Sequence, residues 1–332
     1  MTTMQDCSVG IGVESVFGTG VTPTRWLEFV DEGLDYQKKT VQGKGIRVGS
    51  RVARSNRRAV VSADIGGDLT LECLSKGLGL LWQACLGAGA SALVSGTTYQ
   101  QVFTLGDVPT FTLQKGLPRV DGTVDAYTFT GCAVDKFEIG FKNNDLLTLK
   151  ASIDGRDVTT ATTYAAPTYA VAANLFSFAG AAVYSGALTA PTASALASGA
   201  TQLSGVRGGS IAVSNELDAD RYNAGGGGRK ARQLTGERKI SGSLEVEYDN
   251  AMFRDAVLSD APLNLVVTYT AGPLSSGLET LQIVVPEIKL SGELPKSNGG
   301  DLIKQSLKFV GLDNLTAAQP LWVVVRTSDA AL

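Results

Sequence analysis

Apolar and polar positions alternate with period two along most of the chain, which predicts half-buried β-strands. In residues 61–73, Val61, Ala63, Ile65, Leu69, Leu71 and Cys73 share one phase, and Ser62, Asp64, Asp68, Thr70 and Glu72 share the other. Residues 240–248 repeat the pattern, with Ile240, Leu244, Val246 and Tyr248 facing one way and Ser241, Ser243, Glu245 and Glu247 the other. Antiparallel strands with one wet face read like this. A helical spacing follows each run: Leu78, Leu81, Trp82 and Cys85 in the first, Phe253, Ala256 and Val257 in the second. Such stripes predict short helices lying on a sheet. The runs FTLQ (111–114) and LNLVVTYT (263–270) come next. Two hairpins close the series, YTFTGCAVDKFEIGF with LLTLKASI and LQIVVPEIKLSGEL with LIKQSLKFV, turning at KNND (142–145) and KSNGGD (296–301).

The order strand, strand, helix, strand, hairpin therefore occurs twice, which points to an internal repeat. A shift of 175 aligns residues 54–84 with 229–259 without a gap. Six of these 31 pairs are identical, among them Arg54/Arg229, Ile65/Ile240, Gly67/Gly242 and Glu72/Glu247, against about two expected from ordinary residue usage. A shift of 156 joins the last hairpin strands, pairing Asp145, Gly155 and Asp157 with Asp301, Gly311 and Asp313. The difference of 19 falls at GAGASALVSGTTYQQVFTLGD, read as an extra loop of the first half. The expected organisation is an N-terminal arm (1–25), one module at 26–157, an Ala/Ser/Thr-rich linker or small inserted β element at 158–205, and a second module at 206–332. The fold class is mainly β: two tandem antiparallel β-sandwich modules, each with one short flanking helix.

Composition removes several kinds of chemistry. The 332 residues include no histidine, which excludes Ser-His-Asp and Cys-His hydrolases and histidine zinc sites. The four cysteines form no C-x-x-C pair and read as reduced, buried thiols. DGRD and SNGGD carry ordinary turn chemistry, so no catalytic, metal or cofactor residue is assigned. The start, MTTMQDCSVG, has no basic-then-apolar leader, and no apolar run reaches 18 residues. A protein made soluble in the cytosol is expected.

Charge is segregated. Residues 36–63 hold eight basic residues and no acidic one, including Arg47, Arg51, Arg54, Arg57 and Arg58, which leaves 21 basic against 32 acidic residues elsewhere. The matching stretch of the second half, RYNAGGGGRKARQLTGERK, carries Arg229, Lys230 and Arg232. Three readings stand open: a phosphate-binding patch, which lacks interleaved aromatic platforms; a solvated loop; and a docking loop for the acidic body of an identical neighbour. The last is favoured, because a basic loop on an acidic body is complementary to itself head to tail.

TGVTPTRWLEFVDEGLDYQKKTVQGKGIRVGSRVARSNRR, followed by VVSADIGGDLTLECLSKGLGLLWQACLG, resembles major tail tube proteins of long-tailed bacteriophages. YTFTGCAVDKFEIGFKNNDLLTLKASIDGRD and DLIKQSLKFVGLDN carry the same resemblance. It implies stacked rings whose inner strands join across subunits into one β-barrel, a virion tail assembled in the host cytoplasm, and a conduit through which double-stranded DNA passes without specific binding. Implied partners are further copies of the chain, a tape-measure protein and tail tip or terminator proteins, with no membrane. Two modules per chain imply three chains in a pseudo-hexameric ring, a hexamer being the alternative. On this reading Arg47, Arg51, Arg54, Arg57, Arg58, Arg229, Lys230 and Arg232 meet the adjacent ring. Asp68, Thr70, Glu72, Ser243, Glu245 and Glu247 face either the lumen, as an acidic or neutral wall, or the outer solvent. The competing reading is a receptor- or carbohydrate-binding β-sandwich of a virion or cell surface.

Overall fold

In a computed structural model describing residues 3–49, 51–295 and 302–332, the first half of the chain opens with β1 (Ser8–Val13), β2 (Arg25–Leu27), β3 (Phe29–Glu32), β4 (Asp35–Gln42) and β5 (Arg58–Glu72). Helix α1 (Gly79–Leu86) leads into β6 (Gly87–Ser95), β7 (Thr98–Leu105), β8 (Phe111–Pro118), β9 (Val124–Lys142), β10 (Thr148–Gly155) and β11 (Asp157–Thr159). The second half forms β12 (Ala181–Ser185), β13 (Thr201–Gln202), β14 (Val206–Ser214), β15 (Lys239–Glu247), helix α2 (Met252–Ser259), β16 (Leu263–Pro273), β17 (Leu278–Gly292), β18 (Lys304–Gly311) and β19 (Trp322–Thr327). The KSNGGD turn lies outside the described residues.

The protein is mainly β and antiparallel, as its alternation predicts. One inner sheet runs β4–β5–β10–β9–β14–β15–β18–β17, with β3 beside β4 on the same edge of β5. Two outer layers cover it: β2–β1–β8–β9–β11 over the first half, and β13–β12–β16–β17–β19–β7–β6 over the second. Strands β9 and β17 serve both layers. The crossing in β9 falls at Gly131, whose φ of +61° belongs to the left-handed region that side chains avoid. In β17 it falls beside Pro286, where a missing N–H coincides with the change of ladder partner.

Alternation places Leu69, Leu71, Phe137, Ile139 and Leu149 on the core side of the inner sheet in the first half, and Leu244, Leu307 and Phe309 in the second; all are buried. Helix α1 adds Leu81, Trp82 and Cys85, with Trp82 edge-to-face on Phe137 at 6.4 Å. The buried cluster continues through both halves. A second cluster (Val266, Val284, Trp322 and Val324) lies under Leu188 and Leu196 of the 158–205 segment.

The duplication holds at the level of strand register. The eight pairs from Thr148↔Glu72 to Gly155↔Ile65 become Lys304↔Glu247 to Gly311↔Ile240 when β10 is shifted by 156 and β5 by 175. The repeated glycine has a steric cause: a Cβ on Gly67 would fall on the Gly33 carbonyl oxygen, and one on Gly242 on the Ser210 carbonyl and the Phe309 ring.

Two segments differ from expectation, and two more take a definite form. The stretch read as an extra loop is the hairpin β6–β7, and β7 pairs with the C-terminal strand β19 from Thr104↔Trp322 to Tyr99↔Thr327. Its small residues give no periodic contrast, and its partner is over 200 residues away in sequence. Residues 8–13, expected within an arm, form β1 with Val9 and Ile11 fully buried. There the Glu14 carboxylate accepts hydrogen bonds from Gly18 N (2.8 Å), Thr112 Oγ1 (2.9 Å) and Gly131 N (2.8 Å). The 158–205 segment lies along both outer layers, with Gln114 donating to the Thr163 carbonyl at 3.0 Å and β12 paired to β16. The ends of the basic stretch, residues 36–42 and 58–63, are strands of one hairpin.

Gly242→Ala is expected to destabilise the chain by about 2 kcal/mol or more, since the clash is with backbone and an aromatic ring; urea unfolding followed by circular dichroism checks it.

Candidate functional site

The described residues form no catalytic constellation. Among the described residues no group of three His, Cys, Asp or Glu could hold a metal ion. Cys73, Cys85 and Cys132 are buried, and burial pushes their thiols far up, so they are not thiolate nucleophiles. Trp82 and Trp322 are also buried and offer no exposed stacking platform. The chemistry-bearing surfaces are the junction between the halves, the wet face of the inner sheet, and the two basic loops.

The junction is a strand pairing. The inner half of β9 bonds to β14 through seven register pairs, from Gly208↔Lys142 to Ser214↔Lys136. Strand β14 occupies, relative to β15, the place that β3 and β4 occupy relative to β5. The inner sheet thus joins the two halves edge to edge and ends in two open edges. One is the outer edge of β3 and β4; the other is residues 289–292 of β17. Neither has a further strand partner among the described residues.

The wet face of this sheet collects all six residues expected to face either a lumen or the solvent. Asp68 pairs with Lys150 at 2.7 Å and accepts from Ser152 at 2.6 Å. The Lys150 and Ser152 hydrogen bonds hold its carboxyl below the ordinary aspartate value. Glu245 pairs with Lys304 at 3.6 Å and Glu247 with Arg207 at 2.5 Å, while the Ser243 and Ser210 hydroxyls lie 3.1 Å apart. Thr70 stands between Lys150 and Asp31, and Glu72 faces Thr148. A concavity of about 600 Å³ opens on this face, lined by Gly140, Thr148, Ser210, Ser243, Glu245 and Lys304 among others. The face is a mixed, hydroxyl-rich surface with several carboxylates individually paired.

The two basic loops behave differently. Residues 43–57, between β4 and β5, expose Ile46, Val48 and Val52 together with Arg47, Arg51 and Arg57, with Arg54 half-buried. Arg58, the first residue of β5, is exposed and donates to Thr40 Oγ1 at 3.2 Å. Among the described residues none of these arginines stands within ion-pair distance of a carboxylate.

The second-half loop, residues 215–238, is instead clamped onto the first half. Asn215 is buried and donates to the Val134 and Cys85 carbonyls at 2.8 and 3.0 Å. The Tyr222 hydroxyl reaches the Ala63 carbonyl at 2.9 Å and Asp64 at 3.1 Å; burial and the Asp64 carboxylate push it up to about 12, so it stays protonated. Arg229 pairs with Asp157 at 2.8 Å. The Lys230 ammonium, only 5% exposed, pairs with Asp154, which Gln233 also reaches at 2.7 Å. Burial pushes the Asp154 carboxyl up against the pull of those two partners. Arg229 and Lys230 are thus engaged within the chain, and Arg232 remains exposed. Sequence reasoning did not single out Asp154, Tyr222 or Asn215. Asp157 was visible only as one member of the repeated pair Asp157/Asp313.

A family model described as phage tail tube protein matches residues 4–311. The chain belongs to the phage tail tube protein family. Among curated proteins none matches significantly. Family membership makes this a structural tail tube protein of the virion, which self-assembles into a tube, rather than an enzyme. Among the described residues no helix is long and apolar enough to cross a membrane.

In this tube protein, Lys230→Met should leave Asp154 buried and uncompensated and cost about 3 kcal/mol, as breaking buried ion pairs does. Combining it with Asp154→Asn should recover most of that loss. A double-mutant cycle in urea measures the coupling.

Proposed function

We propose that the tube protein assembles as rings of three chains, six modules in all, which stack into the tail tube and conduct double-stranded DNA from capsid to host. One observation carries this reading: the β9–β14 junction joins two equivalent modules edge to edge and leaves a matching pair of edges at the chain's ends. Applying the same junction between chains pairs the free edge of β17 with the free edge of β3 and β4 on the next copy. Translating the internal register through the two repeat shifts sets Ser291 opposite Gln37 and Gly292 opposite Tyr36 of that copy. Closing the sheet removes both exposed edges, which otherwise invite indiscriminate pairing.

Each chain supplies eight inner strand positions, so three chains supply twenty-four. At about 4.8 Å between strands, these enclose a circle roughly 37 Å across before tilt widens it. That is well beyond the 16–18 strands at which a barrel already holds an aqueous channel. Because the other face of the inner sheet is packed on the core, closure turns Asp68, Thr70, Glu72, Ser243, Glu245 and Glu247 toward the lumen. Paired carboxylates and hydroxyls give a wall that neither grips phosphates nor repels them strongly. The exposed part of the basic loop, with Ile46, Arg47, Val48, Arg51 and Val52, is suited to contact with the next ring. A tape-measure protein in the lumen and terminator or tip proteins at the ends complete the assembly.

Purified protein at high concentration should form stacked rings or tubes by electron microscopy, and the smallest ring should have three times the mass of the chain. A protein that stays monomeric would contradict the assembly, and a ring of six chains would contradict the module count.

A further inference from the structure

We infer that the β4–β5 loop docks sideways on the neighbouring chain of the same ring through an ion pair between Arg54 and Asp313 of that neighbour. The inference rests on the ring proposed above. Its template is the Arg229–Asp157 pair at 2.8 Å, by which the second module's loop holds the first module. By sequence Arg54 is the counterpart of Arg229, eleven residues before Ile65 as Arg229 is before Ile240, although β5 already begins at Arg58 whereas β15 begins only at Lys239. Asp313 is the equivalent of Asp157, two residues past Gly311 as Asp157 is past Gly155. The strands carrying these landmarks are paired identically, Gly155↔Ile65 and Gly311↔Ile240. In the single chain Asp313 is exposed, and among the described residues neither Arg54 nor Asp313 has an ion-pair partner. The single chain thus carries both halves of the contact.

The neighbouring positions change in step. At the buried Lys230–Asp154 pair the equivalents are Ser55 and Val310, so both charges are replaced together and the second junction strands no buried charge. Val310 on β18 and Leu312 just past its end are half-exposed apolar residues, as are Val60 and Val61 of the β4–β5 hairpin. Gln233, which donates to the Gly131 carbonyl at 3.3 Å, has Arg58 as its equivalent, and Gly131 has Glu287. A second opposite-charge pair therefore falls in register with the first. The contact is lateral, along the ring. It takes Arg54 and Arg58 out of the group facing the adjacent ring and leaves Arg47 and Arg51 there.

The test places cysteines at both ends. Arg54→Cys and Asp313→Cys, in a Cys7→Ser background that leaves only buried thiols, are combined in one chain, assembled and treated with a short bis-maleimide. A denaturing gel should show cross-linked species ending at three chains, the closed ring. A ladder continuing past three would make the contact axial and overturn the lateral docking. Tubes without any cross-link would overturn the pair while leaving the tube reading intact, and absence of tubes in the unmodified protein would remove both. Independently, Arg54→Asp or Asp313→Arg alone should lower the assembled fraction about tenfold, leaving monomer melting unchanged. Arg54→Asp combined with Asp313→Arg should restore assembly; failure of that rescue, with each chain folded, would also overturn the pair.

Discussion

The pairing of β9 with β14 is the constraint on which the rest of the structure depends. Seven register pairs turn two sandwich modules into one continuous sheet, and the bends at Gly131 and Pro286 let single strands serve both the wall and its outer cover. Because the junction is made of backbone hydrogen bonds between equivalent edges, the same surfaces are available at the two ends of the chain. Antiparallel edges left unpaired are a liability in a free protein. In the proposed ring they are the means of closure.

Around that sheet the chain divides its polar groups by task. Carboxylates on the wet face stand beside lysine or arginine, as in Asp68–Lys150 and Glu247–Arg207. These pairs are exposed and contribute little to stability, but they cancel charge where DNA would pass. The Lys230–Asp154 pair is different. It is buried and hydrogen-bonded by Gln233, and it fixes a glycine-rich loop that has few apolar anchors. The sequence repeat keeps an arginine and an aspartate at the positions equivalent to Arg229 and Asp157, namely Arg54 and Asp313, but replaces both members of the buried pair, by Ser55 and Val310.

The alternating runs were legible because one face of each inner strand is core and the other is wet, and the same alternation exposed the duplication. Strand β19 was not, since Trp322, Val323, Val324 and Val325 are all buried and show no period. Hairpin β6–β7 was missed for the opposite reason, its glycine, alanine and serine giving little contrast. In β1, Gly10 and Gly12 look like loop signals, yet a Cβ at Gly10 would lie 2.6 Å from Pro23, and one at Gly12 2.9 Å from the Thr22 carbonyl. These glycines allow close packing rather than a turn. The absent histidine removed histidine-based chemistries from consideration, but composition could not show that Arg229 and Lys230 are engaged inside the chain.

A density map of the assembled tube that identifies the strand beside residues 289–292 of β17 tests the central claim most directly. The account predicts β4 of the next chain there, with Ser291 opposite Gln37, and twenty-four strands around the lumen contributed by three chains. A β17 edge left open, or paired with any other strand, would contradict it.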